Sequence, residues 1–171
     1  MVSDSSTFSI VHIASGDLWA GAEVQLYTLC ATQKHILGTS IHVILLNHGR
    51  LEQELMKLGI PVIVLDESQT STLAILRELV TIFRQWRPDI VHTHRLKENI
   101  LGSLAIAATT NGRSIRTVHG APEHPPSFMQ VAKRLFLLAE RLCGLFLQCR
   151  IVAVSDDLKQ KLLDIYPERK I

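Results

Sequence analysis

The chain shows almost no imbalance of charge: 18 Lys and Arg against 16 Asp and Glu leave a net +2 over 171 residues. A nucleic-acid binder normally gathers basic residues into a patch, so this balance argues against that partner. Cysteine is scarce as well. Cys30, Cys143 and Cys149 are odd in number and fall at no metal-ligand spacing, which fits buried thiols in a reducing compartment and excludes a disulfide framework. Long apolar runs are missing. Stretches such as Leu135–Ala139 fall far short of the roughly 18 residues a membrane-spanning helix needs. The opening MVSDSSTF is polar and lacks a basic segment ahead of an apolar one, so it does not read as a secretory leader. There is no internal repeat and no low-complexity tract. These absences lead us to expect a cytoplasmic protein, with peripheral contact at the cytoplasmic membrane face as the one variant.

What is present is apolar and orderly. Hydrophobic residues make up 47% of the chain and charged ones 20%, a globular composition. A domain of this length buries about 70% of its unfolded surface. Six β-rich runs recur: Ser9–Ser15, Ile41–Asn47, Ile60–Asp66, Asp89–His94, Ile115–His119 and Ile151–Ser155. They are mostly continuous apolar stretches without alternation, the pattern of strands covered on both faces in a parallel sheet. Between them lie helical periodicities. Leu73, Leu76, Val80 and Phe83 fall at i, i+3, i+7 and i+10, and Ile100, Leu101, Leu104, Ala105 and Ala108 make a second stripe. Gly59 and Pro88 sit where helices should stop, and Ser127 with Gln130 reads as a capping box opening a long helix. Together these predict a doubly wound, Rossmann-like α/β domain of about six parallel strands with helices on both faces.

Ligands of such sheets bind beyond the carboxyl ends of the strands, and three segments there, together with one helix, are chemically unusual. In Gly16–Glu23 (GDLWAGAE), small residues allow close backbone approach, and a helix opening near Gly21 would aim free N–H groups at an anion. A phosphate site and an ordinary strand–helix turn both remain open there. In His92–Asn99 (HTHRLKEN), His92 and His94 share one face of a strand, a spacing a metal could use. No Cys or carboxylate at ligand spacing accompanies them, so no metal is expected. His94, Arg95 and Lys97 read better as polar groups facing a cleft, and a satisfied core His92 beside a solvated basic turn is the plain alternative. In Thr117–Glu123 (TVHGAPE), His119 at a strand end followed by Gly120 is held rigidly near the cleft and can donate or accept a hydrogen bond near neutral pH. A helix over Phe128–Gln148 places Arg134, Arg141 and Gln148 on one polar stripe and leaves a broad apolar arc including Leu135, Phe136, Leu138, Leu142, Leu145 and Phe146. That arc is read as buried under a neighbour, or as lying on a membrane surface with Lys133 and Arg134 toward lipid phosphates.

In this order, four motifs resemble the N-terminal domain of family-4 glycosyltransferases, retaining enzymes of GT-B architecture. They are Ala20-Gly21-Ala22-Glu23, set against a family pattern Gly-Gly-Ala-Glu; Pro88-Asp89-Ile90-Val91-His92-Thr93-His94; Thr117-Val118-His119-Gly120; and Ile151-Val152-Ala153-Val154-Ser155. The resemblance runs over roughly residues 8 to 171. It implies the acceptor-side half of a two-domain enzyme that moves a sugar from a nucleotide-sugar with retention, in polysaccharide or glycolipid synthesis. By the same resemblance Gly21, Ala22 and Glu23 form the donor-phosphate loop, and His119 contacts the donor sugar and stabilises charge at its anomeric carbon. His94, Arg95, Lys97 and Asn99 face a sugar or lipid-linked acceptor. No cofactor or metal is implied.

The sequence departs from the family at Ala20, where a glycine would allow positive φ at no cost and alanine would be strained by about 1 kcal/mol if the left-handed region were required. It also stops at Glu168–Ile171, ahead of the Pro-Asn-Gly loop and nucleotide-sugar domain the family carries next. The 171 residues are therefore expected to be inactive without a C-terminal donor domain, and prone to associate through an uncovered apolar face. A phosphate-ligand-binding module without turnover and a membrane-docking module are the competing readings.

Overall fold

A computed structural model describes residues 8–36, 38–109, 112–120 and 131–171. All six expected strands are present: β1 (Phe8–Ala14), β2 (Thr39–Leu45), β3 (Val62–Val64), β4 (Ile90–Thr93), β5 (Arg113–Val118) and β6 (Gln148–Ala153). They form one sheet in the order β3-β2-β1-β4-β5-β6, and every pairing is parallel. The order reverses between β1 and β4, so the crevice where such sheets bind ligands opens at Ala14 and Thr93.

Five α-helices lie in the crossovers, α1 (Gly21–Gln33), α2 (Arg50–Lys57), α3 (Thr72–Trp86), α4 (Leu96–Ala107) and α5 (Val131–Leu142), and α6 (Asp156–Leu163) follows β6. Successive strand residues face opposite ways, which splits the core into layers. Val11, Ile13, Ile44 and Val91 pack with Ile75, Leu79 and Phe83 of α3 and Leu101 and Ala105 of α4. Ala14, Val43 and Leu45 pack with Leu26 and Cys30 of α1 and Leu51 and Leu55 of α2. A third cluster joins Ile151 of β6 to Leu158 and Leu162 of α6 and to Tyr166. Each fully buried aliphatic side chain contributes about 1.5–3 kcal/mol, so these layers carry most of the stability. The inward face of α3 is set by Ile75, Leu79, Ile82 and Phe83; Leu73 of the expected stripe is exposed.

Helix ends follow local chemistry. The Ser71 hydroxyl accepts from Ala74 N–H to cap α3, and Ser155 does the same for Leu158 N–H at α6. α3 ends with Arg87 in the left-handed region at φ 47°, just before Pro88, which cannot continue a helix. Ala20 lies at φ −128°, an extended conformation open to any residue, so the strain expected of an alanine there does not arise. Gly102 lets α4 approach the sheet: a Cβ would lie 2.9 Å from Ile13 Cδ1 and Thr93 Cγ2.

The helix expected over Phe128–Gln148 is shorter at its end. Residues 128–130 lie outside the described residues, as do Ala121–Glu123 and the Ser127–Gln130 capping box. α5 gives way to a single π-helical turn over Cys143–Leu147, and Gln148 already belongs to β6. Gln148 is therefore not on the Arg134–Arg141 stripe; it is buried against Asn99. The Lys170 ammonium donates to the carbonyls of Gly144 (2.9 Å), Leu145 (2.5 Å) and Gln148 (2.7 Å), satisfying groups that the end of the helix leaves open. No described helix is long and apolar enough to cross a membrane.

Candidate functional site

The crevice at the carboxyl ends of β1, β4 and β5 is built by three loops. After β1 the chain turns at Gly16, whose φ of 88° favours glycine and where a Cβ would lie 2.8 Å from the Asn47 carbonyl. Asn47 donates from Nδ2 to Ser15 Oγ (3.0 Å) and Glu67 Oε1 (2.8 Å), tying the ends of β1 and β2 to the segment after β3. α1 then begins at Gly21. Beyond its own helix backbone and chain neighbours, no atom lies within 4 Å of where a Gly21 Cβ would be, so that side of the helix start is open.

Glu23, in the first turn of α1, is 2% exposed. Its Oε2 accepts from the backbone N–H of Ala20 at 3.3 Å, and its Oε1 accepts from Arg95 Nη2 at 2.6 Å. Arg95 also reaches Asp17 Oδ1 at 3.3 Å. Of the residues expected on the donor-phosphate loop, Gly21 and Ala22 thus begin a helix with open space beside it, while the Glu23 carboxylate is already committed to Arg95. Lys97 Nζ donates to Glu67 Oε2 at 2.5 Å, and that bond, with the one from Asn47, holds the Glu67 carboxyl below its ordinary range.

Four histidines form a column inside this frame. His12 of β1 and His92 of β4 are register partners, with ring centroids 5.1 Å apart; His92 to His94 is 4.4 Å and His94 to His119 is 5.8 Å. Burial keeps them neutral. It lowers His12 to about 4 against a raising bond from Gln33, lowers His92 to about 3, and takes His94 well below its usual value. His119, at the outer end, is lowered by desolvation, raised by Glu23 and lowered by Arg95, so the α1 start and the β5 end act on each other.

A cavity of about 710 Å³ opens beside this column, lined by Ser15, His94, Arg95, Lys97 and His119 and walled by α5 and α6. His94, Arg95, Lys97 and His119 are thus brought together. Asn99, expected with them, is not: it is 1% exposed, and its amide is taken up by Thr93, Ser103, Glu140 and Gln148. Its position on α4 turns it inward, toward the polar layer between α4 and α5.

Two groups stand out only in the structure. Glu98, within His92–Asn99, is 3% exposed on the cavity wall, and burial pushes its carboxyl up to about 7 against the opposing effects of Arg95 and Lys97. Arg116, inside β5, forms a buried ion pair with Glu140 of α5 and lies 5.0 Å from the centre of the Tyr166 ring, while the Tyr166 hydroxyl donates to Glu140 Oε2 at 3.3 Å. An arginine inside an apolar run was the available signal, since such a charge stays buried only when paired.

The sequence profile described as Glycosyltransferase Family 4 matches residues 19–171. No individually curated protein matches the chain. Among solved structures, Anabaena Alr3699/HepE in complex with UDP superposes with a TM-score of 0.72 at 15% identity, covering 93% of this chain and 43% of that one. A glycosyltransferase from Rickettsia africae ESF-5 gives 0.63 at 25% identity, over 94% of this chain and 42% of that one. A UDP-N-acetylglucosamine 2-epimerase gives 0.67 at 16% identity, over 92% and 45%. The chain therefore spans less than half the length of these proteins, and a transferase and an epimerase share its fold.

Proposed function

Because the chain belongs to Glycosyltransferase Family 4, as a GT-B, Rossmann-like domain of N-terminal type, we propose that it supplies the acceptor side and part of the donor cleft for sugar transfer from a nucleotide-sugar. The observation that carries this reading is the meeting of the open α1 start, the Arg95–Glu23 pair and His119 at the β1/β4 crevice. The family match favours transfer over the epimerase chemistry that shares the fold. A UDP complex of HepE, the same fold, supports a nucleoside diphosphate as the donor end.

In this reading the backbone at Gly21 and Ala22 binds the donor diphosphate, with helix N–H groups and the α1 dipole favouring negative charge. Arg95 neutralises Glu23, which would otherwise repel that anion. His119, neutral through burial, touches the donor sugar without opposing positive charge that grows at the anomeric carbon as the leaving diphosphate departs. His94, Arg95 and Lys97 face the acceptor. The product retains the donor's anomeric configuration, no metal takes part in the transfer step, and a C-terminal nucleotide-sugar domain completes the enzyme. The test is transfer from UDP-sugars by the chain joined to a family-4 donor domain. His119→Ala should lower kcat by about 10²–10³-fold, the scale of losing one transition-state contact. Unchanged kcat in that variant would overturn the role of His119.

α5 supports a second element of this reading, a glycolipid acceptor met at a membrane surface. Val131, Leu135, Leu138 and Leu142 fall at i, i+4, i+7 and i+11 and are all exposed, with Phe146 76% exposed beyond them and Lys133 and Arg141 on the same helix. Sedimentation with anionic vesicles should bring the chain down at low salt; no binding at either low or high salt removes the membrane contact.

A further inference from the structure

The histidine column has a second reading that does not depend on sugar transfer. One ring nitrogen each from His12, His92 and His94 lie within 4.8 Å of one another, and all three residues are buried. His12 and His92 are register partners on the two central strands, and His94 follows immediately after the end of β4. His12 Nδ1 and His94 Nε2 are 3.3 Å apart. Two nitrogens bound at ~2.0–2.1 Å to one tetrahedral ion are separated by about the same distance.

The far sides of the rings are also fixed. His12 Nε2 donates to Gln33 Oε1 at 2.8 Å from α1, which leaves Nδ1 with its lone pair. His92 Nε2 meets Thr117 Oγ1 at 2.8 Å from β5; when the hydroxyl accepts from it, Nδ1 keeps its lone pair. Metal-bound histidines are ordinarily held this way, with the distal nitrogen tied to a polar partner that sets tautomer and ring plane. His94 Nδ1 is buried without a hydrogen-bond partner. A column serving only to fill space would gain by replacing such a group with an aliphatic one, because a buried unpaired polar atom costs stability.

We propose that His12, His92 and His94 form a binding site for one zinc-class divalent cation beneath the floor of the cleft, with the fourth coordination position on the cavity side, where His94 and Ser15 line the wall. Three imidazoles and no carboxylate select zinc, cobalt or nickel over magnesium and calcium, which prefer oxygen. The ion would clasp β1 to β4 at the point where the strand order reverses.

The test uses the full chain, stripped with a chelator and titrated with Co(II) and then Zn(II). One equivalent of Co(II) should give a visible absorption band that Zn(II) displaces, and Zn(II) should raise the melting midpoint. His12→Ala and His92→Ala should abolish the band with the far-ultraviolet circular dichroism retained, and exposed His48→Ala should leave it intact. Gln33→Leu and Thr117→Val should weaken metal affinity by about 10–100-fold, an effect that loss of packing alone would not produce. X-ray absorption on the wild-type cobalt complex, which needs no variant to fold, should count three imidazoles. No band and no change in melting midpoint at millimolar metal, a band that survives both histidine variants, or fewer than three imidazoles each overturns the site.

Discussion

Glu23 on α1 and Arg95 at the N-cap of α4, 72 residues apart in sequence, meet at 2.6 Å over the mouth of the cleft. The pair is asymmetric: the carboxylate is 2% exposed and the guanidinium 35%. Arg95→Leu leaves a buried carboxylate with only the Ala20 N–H to satisfy it. Because Arg95 is partly solvated, the expected loss is about 2 kcal/mol and not the larger figure for a fully buried pair. At roughly 2–4 °C per kcal/mol for a domain of this size, thermal unfolding should show it plainly. Glu23→Gln, which keeps an acceptor for Ala20 N–H, should lose less.

Proton linkage sets opposing trends below neutrality. His12 and His92 have folded values lowered to about 4 and about 3 from an unfolded 6.5, so the unfolded chain takes up protons first as pH falls. Each group therefore withdraws stability between pH 6.5 and its folded value, at roughly 1.4 kcal/mol per pH unit. Glu98 does the reverse: raised from 4.5 to about 7, its contribution is whole below pH 4.5 and is lost as pH rises toward 7. The histidines outweigh it, so the urea midpoint of metal-free protein should climb from pH 4.5 to 6.5. Glu98→Gln should steepen that climb and His92→Gln should flatten it. A midpoint indifferent to pH over this range would mean the column is open to water.

Arg116 and Glu140 offer a double-mutant cycle. Glu140→Leu strands a 6% exposed arginine and should lose about 3–5 kcal/mol, whereas Arg116→Met with Glu140→Leu removes both charges and should recover much of it. Urea denaturation of the three variants measures the coupling; strict additivity would mean that the pair is solvated in solution.

Two glycines should answer alanine differently. At Gly144 a Cβ would sit 2.5 Å from Tyr166 Cε1 and 2.9 Å from Cζ, so Gly144→Ala should lose about 1–3 kcal/mol by overpacking. At Gly21 an added Cβ would meet nothing within 4 Å beyond its own helix backbone and chain neighbours, and Gly21→Ala should leave unfolding within about 0.5 kcal/mol of the parent. Calorimetry on both separates a glycine needed for packing from one whose open side faces the cleft.

The six strands were legible because doubly covered parallel strands leave unbroken apolar runs, and Gly59 and Pro88 punctuated the helices where expected. The end of α5 was not legible: Leu142–Leu147 continues an apolar helical pattern, whereas the chain changes to a π turn at Cys143, where Tyr166, 22 residues later, packs on Gly144. His92 and His94 could be placed on one face from their spacing alone. His12 could not join them until the strand order put β1 beside β4. Asn99 was expected at the acceptor through the family resemblance alone; the polar groups that claim it include Glu140 of α5 and Gln148 of β6, which sequence spacing does not bring near.

The pairing of His12 with His92 also bears on how the chain finds its fold. If β4 slipped by one residue against β1, every side chain would change faces: His92 and His94 would enter the aliphatic layer beneath α3 and α4, and Val91 would take their place beside His12. A slip of two residues would keep the face but separate His12 from His92 and His92 from Thr117. Either error breaks the His12–His92 pairing at the centre of the sheet. The column therefore ties one particular alignment of β1 and β4 to buried polar pairing, which Val11, Ile13 and Val91 beside it do not specify.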